Sequence, residues 1–260
     1  MQERHSNREQ YFEELAISCQ KYFIPYLNQF VKINPAMRIL EIGCGDGGNL
    51  LPFAQKGCDV TGVDISEKRI TDARSFFQKK NVCAELVAAD IFNVSDFDGR
   101  FDVVLIHDVI EHIGRKEEFL NHVGRFLAPE GVLFIGFPAW HMPFGGHQQI
   151  CRHKLASHFP FLHLLPAPLY RSVLTLLGEN RSCIDELLDI KRCGLTVEGF
   201  EKLLRKTPYD ILERQLWLIN PHYEVKFGLA PRKLAGSIAA IPYLRNFVSS
   251  SCFYILKCVN

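Results

Sequence analysis

The sequence lacks a charge excess of either sign, and its cysteines lack any paired spacing. Its 30 basic and 29 acidic residues give a net charge of +1, so no broad electrostatic field would attract the phosphates of a nucleic acid. The nine cysteines include no C-x-x-C pair and no paired zinc-ligand spacing. We therefore expect free thiols in a reducing, cytoplasmic environment and no nucleic-acid partner.

Long uninterrupted apolar runs are also absent. The two most apolar stretches, residues 164–177 and 237–258, are broken by proline and arginine, so neither is typical of a helix that spans a membrane. The amino-terminal residues lack the apolar core of a secretion signal. For residues 237–258 we expect a helix or loop followed by a final strand, and contact with a membrane surface is the alternative.

The most informative segment that is present is an apolar run, residues 38–42, leading directly into a glycine cluster. Gly43, Gly45 and Gly48 have the G-x-G-x-x-G spacing of dinucleotide-binding turns, where glycine permits positive φ and close approach of a ligand to the backbone. Glu41, two residues earlier, would be unfavourable beside a pyrophosphate and favourable beside a cationic ligand. The turn alone leaves both a dinucleotide and a cationic cofactor open.

Two further acids follow the next two predicted strands. Asp64 ends the second strand, from which a carboxylate can accept both hydroxyls of a ribose, and Asp90 follows the third strand, within reach of an adenine amino group. Together with Glu41-x-Gly43-x-Gly45-x-Gly47, these acids resemble the class I S-adenosylmethionine-dependent methyltransferases. That family has E/D-x-G-x-G-x-G, then an acid ending strand two, then an acid after strand three.

The next two predicted strands extend this resemblance. The segment from Phe101 to Ile113 resembles the family's FDVV…EHI signature, and the segment from Leu127 to Pro138 resembles its L-x-P-G-G strand. The resemblance implies S-adenosylmethionine as the cofactor. For His107, the alternative to cofactor binding is a structural role in a hydrogen-bonded turn. The implied cofactor-binding residues are Glu41, Gly43, Cys44, Gly45, Asp64, Ile65, Asp90, Ile91, His107 and Asp108.

Alternating strands and helices predict an α/β chain with a three-layer Rossmann-like methyltransferase fold. We expect a mostly parallel, seven-stranded sheet whose last strand is antiparallel, as in the family, with insertions after strands five and six. A helix from about Ser6 to Phe30, interrupted at Pro25, would cap the cofactor. The predicted single domain, residues 1–260, divides into a cap (1–35), a cofactor-binding core (36–138), a lid insertion (139–195) and a carboxyl-terminal part (196–260).

Histidines cluster near the expected mouth of the site. His147 follows two glycines after strand five and is our candidate catalytic residue, with an exposed loop histidine as the alternative. Asp108, Glu111 and His112 have i, i+3, i+4 spacing, which would place three ligands on one helical face. Some metal-dependent methyltransferases carry a similar E-x-x-E-H, and His141 or His147 would complete the set. We nevertheless predict no metal ligands and expect no divalent metal.

The acceptor is the least defined part of the function. The insertion is rich in Phe, Leu, Pro and Tyr, which indicates either a lid over an apolar pocket or a core of its own. We therefore expect direct methyl transfer to an oxygen atom of a small apolar or amphipathic acceptor. The alternatives are a methyltransferase acting on RNA or protein, an NAD-dependent oxidoreductase, and a binding module without turnover.

Overall fold

A single eight-stranded sheet forms the centre of the computed structural model, which describes residues 7–259. Its order is β3-β2-β1-β4-β5-β8-β6-β7. Strands β1 to β5 are mutually parallel, and β8 lies antiparallel between β5 and β6. The strands are β1 Arg38–Ile42, β2 Asp59–Asp64, β3 Glu85–Ala88, β4 Phe101–His107, β5 Leu127–Phe137, β6 Tyr209–Ile219, β7 Arg232–Lys233 and β8 Ser251–Cys258.

The sheet confirms the predicted fold class and corrects the number of strands. The antiparallel last strand is present, but the predicted seven strands are eight, because Arg232–Lys233 pairs antiparallel with β6 at the edge of the sheet. A strand of two residues has no hydrophobic alternation, so the sequence does not reveal it.

Alternate residues of the central strands face two separate cores, as the two-residue period of a strand requires. One core packs under the helices Lys116–Gly124 and Val197–Leu204, and the other packs under the amino-terminal helices and the helices Leu51–Gln55 and Glu67–Lys79. The sheet is therefore covered on both faces, which explains the near-continuous apolar runs of β1 and β4. Residues facing the first core include Leu40, Val104 and Ile106, and residues facing the second include Ile39, Val103 and Leu105.

Twelve α-helices are present in the described range. They are α1 Arg8–Ser18, α2 Ile24–Leu27, α3 Leu51–Gln55, α4 Glu67–Lys79, α5 Lys116–Gly124, α6 Lys154–His158, α7 Ala167–Leu176, α8 Arg181–Cys193, α9 Val197–Leu204, α10 His222–Phe227, α11 Gly236–Ala239 and α12 Leu244–Val248. Thr196 caps α9, its hydroxyl accepting a hydrogen bond from the N–H of Gly199.

The amino-terminal helix differs from the prediction at Pro25. A π-helical turn, Cys19–Phe23, joins α1 to α2, and Pro25 stands in the first turn of α2. Proline has no N–H to donate and is tolerated at that position, so the helical path continues to Leu27 without a break. The predicted start at Ser6 lies outside the described residues.

Two insertions depart from the alternating pattern, as the sequence predicts. The lid insertion, residues 139–195, carries α6, α7 and α8 around a small hydrophobic core that includes Leu162, Tyr170 and Leu187. The second insertion, residues 220–250, carries α10, β7, α11 and α12 before β8. Within residues 7–259, no helix has the length and hydropathy needed to cross a membrane.

Candidate functional site

The glycine turn after β1 requires glycine in the structure for two reasons. Gly43, Gly45 and Gly47 have φ values of +71°, +53° and +80°, which side-chain-bearing residues rarely adopt. In addition, a Cβ at Gly43 would lie 2.3 Å from Cγ2 of Val109, in the loop that follows β4. The turn therefore packs directly against the loop that follows β4.

Glu41 lies buried beneath this turn with one oxygen free. The amide of Asn49 donates to its Oε1 at 2.7 Å, while Oε2 has no hydrogen-bond partner in the described structure. Burial, more than the neighbouring charge of Asp64, raises the pKa of Glu41 to about 8, against the opposing effect of Asn49. An unpartnered buried carboxylate oxygen fits a site for a cationic group such as an ammonium.

Asp64 is held rigidly at the end of β2. The N–H of Gly45 donates to its Oδ2 and the N–H of Ser66 donates to its Oδ1, both at 2.8 Å. Each oxygen keeps further lone-pair capacity, so the fixed carboxylate can still accept hydroxyl donors. Beside it, the side chain of Ile65 is 79% exposed and offers an apolar surface at the same edge. This combination fits a ribose next to a flat aromatic base.

Three other predicted cofactor-binding residues follow β1 and β3, and only one of them, Asp90, has an exposed side chain. Asp90 is exposed and caps a 3-10 turn, its Oδ1 accepting from the N–H of Phe92 at 3.0 Å. The side chains of Cys44 and Ile91 are buried in the two cores. Cofactor contact from Cys44 or Ile91 would therefore come from backbone atoms.

His107 and Asp108 end β4 with different surroundings. The imidazole of His107 packs against Phe23, with ring centroids 4.8 Å apart, and its buried Nε2 has no partner in the described structure. Asp108 is exposed with φ +54°, and its Oδ2 lies 3.4 Å from Nδ1 of His107. His107 is thus part of an aromatic cluster, and Asp108 reaches the open edge.

Helix α1 lies directly against the glycine turn. Arg8 forms an ion pair with the buried Asp46 inside the turn, and a Cβ at Gly48 would lie 2.5 Å from the carbonyl oxygen of Phe12. The sequence pattern predicts a helix near the cofactor, but it does not single out Arg8 or Asp46. Helix α1 therefore covers one side of the glycine turn. A residue with a side chain at position 48 would displace this helix.

A second group of polar side chains meets beside the turn, formed by Glu111, His112 and His147. One ligand atom from each lies within 4.8 Å of the others. Nε2 of His112 is 3.9 Å and Nε2 of His147 is 4.0 Å from Oε1 of Glu111, and the two rings are nearly perpendicular with centroids 4.9 Å apart. We call these three residues the Glu111 cluster.

The electrostatics of the Glu111 cluster fit a cation. Both carboxylate oxygens of Glu111 are buried without a hydrogen-bond partner in the described structure. Burial and then the charge of Asp108 raise the pKa of Glu111, whereas burial lowers the pKa of His112 and lowers that of His147 to about 4. Two neutral imidazoles and a carboxyl group with free oxygens make a donor set for a divalent transition metal.

The structure corrects the predicted ligand geometry. Only residues 110–112 form a helical turn, a 3-10 turn, and Asp108 precedes it in a left-handed conformation, so the expected i, i+3, i+4 face does not exist. His141 stacks on Phe247 with ring centroids 5.1 Å apart and is not part of the cluster. The prediction that none of these residues binds a metal stays a prediction, and the structure adds that the ligand atoms of Glu111, His112 and His147 lie together.

The glycines before His147 pack closely and do not form an open loop. A Cβ at Gly146 would lie 2.2 Å from Cβ of His163, and one at Gly145 would lie 2.4 Å from the carbonyl oxygen of Trp140. His147 itself has φ +57° and a half-buried side chain. Close packing of the lid therefore fixes His147 against Glu111, which its position in the sequence does not reveal.

A cleft of about 470 Å³ opens beside His112, between the Glu111 cluster and α8. Its acidic groups are partly neutralised, since Arg171 pairs with Asp185 and Arg192 pairs with Asp189. The sequence does not predict that α8 lines this cleft, because α8 is distant along the chain from His112. The lining residues are His112, Ser182, Asp185, Glu186, Asp189, Ile190 and Cys193.

Comparison with known proteins supports the resemblance seen in the motifs. Residues 39–131 match the family model described as a methyltransferase domain. The ubiquinone biosynthesis O-methyltransferase of Mesorhizobium japonicum is 34% identical over 99 residues, covering 38% of this chain and 40% of that protein. The protein of the same name from Bartonella bacilliformis is 26% identical over 157 residues, covering 58% and 62%. The chain thus matches about two fifths of the first relative's length.

Solved methyltransferases share the overall fold. An S-adenosylmethionine-dependent methyltransferase from Clostridium acetobutylicum has a TM-score of 0.57 at 13% identity, covering 96% of this chain and 92% of that chain. The plantazolicin methyltransferase BpumL, in complex with a monoazolic desmethylPZN analog and SAH, has a TM-score of 0.56 at 18% identity, covering 99% and 88%. The matched domain and the shared fold confirm that the chain resembles the class I methyltransferases.

Proposed function

We propose that this protein is an S-adenosylmethionine-dependent methyltransferase that acts on a hydroxyl group of a small acceptor. The observation that carries the proposal is the glycine turn with a free oxygen of buried Glu41 on one side and the fixed carboxylate of Asp64 on the other. The names of the curated relatives support the O-directed reaction.

The residues of the turn would bind the cofactor by complementary chemistry. Glu41 would pair with the ammonium of the amino-acid portion, and Asp64 would accept the ribose hydroxyls. Ile65 would pack against the adenine, while Asp90 lies at the same edge of the sheet for its amino group. When bound, S-adenosylmethionine supplies a methyl group already activated on a sulfonium. The protein's main task is therefore to position the acceptor and exclude water.

The Glu111 cluster supplies the acceptor side of the proposed site. Glu111, His112 and His147 would hold a divalent cation, which lowers the pKa of a hydroxyl bound to it. The low pKa values of His112 and His147 keep both imidazoles neutral, the form that binds metals. In this role His147 binds the cation, and general-base catalysis by His147 alone is the competing mechanism.

The acceptor would enter through the cleft between His112 and α8. Most acidic groups of that cleft have arginine partners, so its wall does not require a charged acceptor. The lid nearby exposes large apolar side chains, among them Phe159 and Leu169. A hydroxyl-bearing, amphipathic small molecule matches this combination of a polar end and apolar surroundings.

The experiment is a methyl-transfer assay with S-adenosylmethionine and a panel of phenols, catechols and aliphatic alcohols. We expect transfer to a hydroxyl acceptor that stops when EDTA is added and returns with Mg²⁺, Mn²⁺ or Zn²⁺. Glu111→Gln and His147→Ala should each lower turnover by roughly a hundredfold or more, as removal of a group acting in the transition state does. Binding of S-adenosylhomocysteine should be retained in both variants.

The matched control is His158→Ala, which removes an exposed lid histidine outside the cluster and should leave turnover unchanged. Turnover that survives EDTA but is lost in His147→Ala would contradict the cation and favour a general base. If His147→Ala keeps full turnover on the accepted substrate, His147 has neither role. Methyl transfer to RNA or protein, with none to small hydroxyl compounds, would contradict the proposed acceptor class.

A further inference from the structure

The lid insertion contains a second cluster of metal-ligating side chains, formed by Cys151, Glu179 and Cys183. One ligand atom from each residue lies within 4.8 Å of the others. The three residues belong to different segments: Cys151 follows a 3-10 turn, Glu179 lies between α7 and α8, and Cys183 stands in the first turn of α8. A ligand held by all three would connect three segments of the lid.

The cluster lies inside the small hydrophobic core of the lid. Cys151 is 1% exposed and Glu179 is 7% exposed. The N–H of His153 donates to Oε1 of Glu179 at 2.8 Å, but Oε2 is buried without a hydrogen-bond partner in the described structure. A buried, unpartnered carboxylate oxygen is costly unless a cation or a donor compensates it. The surrounding core includes Ala156, Leu162, Leu174, Ile184 and Leu187.

We propose that Cys151, Glu179 and Cys183 bind a zinc ion that holds the lid together. Zinc takes thiolate sulfur and carboxylate oxygen as ligands, and structural sites are four-coordinate. The hydroxyl of Tyr170 is buried without a partner in the described structure, and it or a water would fill the fourth position. Two thiol protons leave for solvent on binding, so the site with Zn²⁺ carries one net negative charge, as a Cys₃His site does.

The two thiols have other states available, which fit the surroundings less well. Without an ion, the neutral thiols of Cys151 and Cys183 offer only weak S–H donors to the carboxylate of Glu179. A disulfide between Cys151 and Cys183 would need an oxidant and would leave the same carboxylate oxygen without a partner. A bound cation satisfies the sulfurs and the carboxylate together, because coordination deprotonates a thiol.

The site has a consequence for lid folding that is independent of methyl transfer. The core of the lid is small, and a metal site formed only in the folded lid adds its binding free energy to folding. Zinc should therefore slow amide hydrogen exchange across the lid segments that carry the three ligands. The Glu111 cluster lies outside this core, so the two sites can be tested separately.

The experiment is a cobalt titration of the full chain after zinc has been removed with a chelator under reducing conditions. Co²⁺ bound to thiolate has a charge-transfer absorption in the near ultraviolet, which a site made of histidine and carboxylate lacks. We expect this band to reach the intensity of one thiolate-bound Co²⁺ per chain, whatever the Glu111 cluster binds, and to disappear when Zn²⁺ is added. Cys183→Ser should weaken the band strongly, and Glu179→Gln should weaken cobalt affinity by roughly tenfold or more.

Two controls separate the lid site from other metal binding. Cys83→Ser removes an exposed thiol outside the lid, and His147→Ala alters the Glu111 cluster; both should keep the band. An unaltered band in Cys183→Ser would overturn the proposal. So would the absence of a thiolate band in the wild-type chain, or a Cys151–Cys183 disulfide in most molecules isolated without reductant. If Cys183→Ser fails to fold, the wild-type titration and zinc-dependent hydrogen exchange of the lid decide.

Discussion

At the scale of single residues, the carboxylates at the strand ends were the predictable part of the site. Glu41 is the last residue but one of β1 and Asp64 ends β2, so both lie at the carboxyl edge of the sheet, where parallel strands bring their ends together. The hydrogen bond from Asn49 to Glu41 and the one from Gly45 to Asp64 depend on the path of the turn. No sequence spacing specifies those partners.

The buried state of Glu41 predicts pH-dependent cofactor binding. Its pKa of about 8 means that the carboxyl is protonated below that pH in the free protein, whereas pairing with an ammonium requires the ionised form. Binding of S-adenosylhomocysteine should therefore release a proton below pH 8, and affinity should rise by up to about tenfold per pH unit as the pH approaches 8. Calorimetry in buffers of different ionisation enthalpy measures both effects.

Glu41→Gln should bind more weakly at pH 8 and lose this pH dependence, because the neutral amide neither titrates nor pairs with an ammonium. Glu85→Gln, which changes an exposed acid on β3, is the matched control and should keep the wild-type profile. Affinity that falls as the pH rises from 6 to 8 in the wild-type chain would contradict the role given to Glu41.

The positions of the histidines relative to one another could not be predicted from the sequence. His112 and His147 are distant along the chain, and their contact depends on how the lid packs through Gly145 and Gly146. His141 was an equal candidate in the sequence, yet it stacks on Phe247. Loop positions of this kind follow from tertiary packing, which neither periodicity nor spacing encodes.

At the scale of secondary-structure elements, β8 and α9 form a well-defined junction with the second insertion. Glu198, in the first turn of α9, accepts hydrogen bonds from the N–H of Tyr243 at 2.8 Å, Nε of Arg245 at 2.9 Å and Nδ2 of Asn246 at 2.5 Å. Asn246 in turn accepts from the N–H of Val197. These hydrogen bonds hold the segment around α12 against α9, just before β8 begins.

Glu198 predicts a loss of stability in acid. Burial would raise its pKa, but the three hydrogen bonds and the charge of Arg245 outweigh that effect and lower it. Because the pKa is lower in the folded state, ionised Glu198 stabilises the fold at any pH above its pKa in the unfolded chain. This stabilisation is lost as the pH falls, below about 4.5, through its pKa in the folded protein. Glu198→Gln should reduce the free energy of unfolding at pH 7 by about 1–3 kcal/mol, because it weakens hydrogen bonds to a charged acceptor.

Urea unfolding of wild type and Glu198→Gln at pH 7 and pH 4 measures this effect, with Glu213→Gln on β6 as control. The difference between wild type and Glu198→Gln should shrink at pH 4, since this carboxyl binds protons more readily in the unfolded chain than in the folded one. A difference that is as large at pH 4 as at pH 7 would show that charge on Glu198 is not the cause.

At the scale of the whole molecule, the core strands follow from the sequence because each is an apolar run flanked by polar turns. The predicted apolar run, residues 38–42, coincides with β1, and Asp64 ends β2 as expected. The insertions do not follow in the same way. The lid forms its own core, and its ligand cluster joins residues such as Cys151 and Cys183 that no sequence motif connects.

The central claim is that the edge formed by Glu41, the glycine turn and Asp64 binds S-adenosylmethionine. Asp64→Ala removes a fixed carboxylate from that edge, but it also removes the acceptor of the Gly45 and Ser66 N–H groups. Asp64→Asn retains an acceptor oxygen while losing the charge, and thermal unfolding of both variants shows whether the turn stays folded. Asp59→Ala, at the opposite end of β2, is the matched control.

The most direct measurement is a calorimetric titration of the wild-type chain and these variants with S-adenosylhomocysteine, with NAD as a comparison ligand. We predict one-to-one binding to wild type and Asp59→Ala, no binding of NAD, and at least about tenfold weaker binding to folded Asp64→Ala and Asp64→Asn, since charge-assisted hydrogen bonds are worth about 1.5–3 kcal/mol. Unchanged affinity in both Asp64 variants, or no binding of S-adenosylhomocysteine to the folded wild-type chain, would contradict the account.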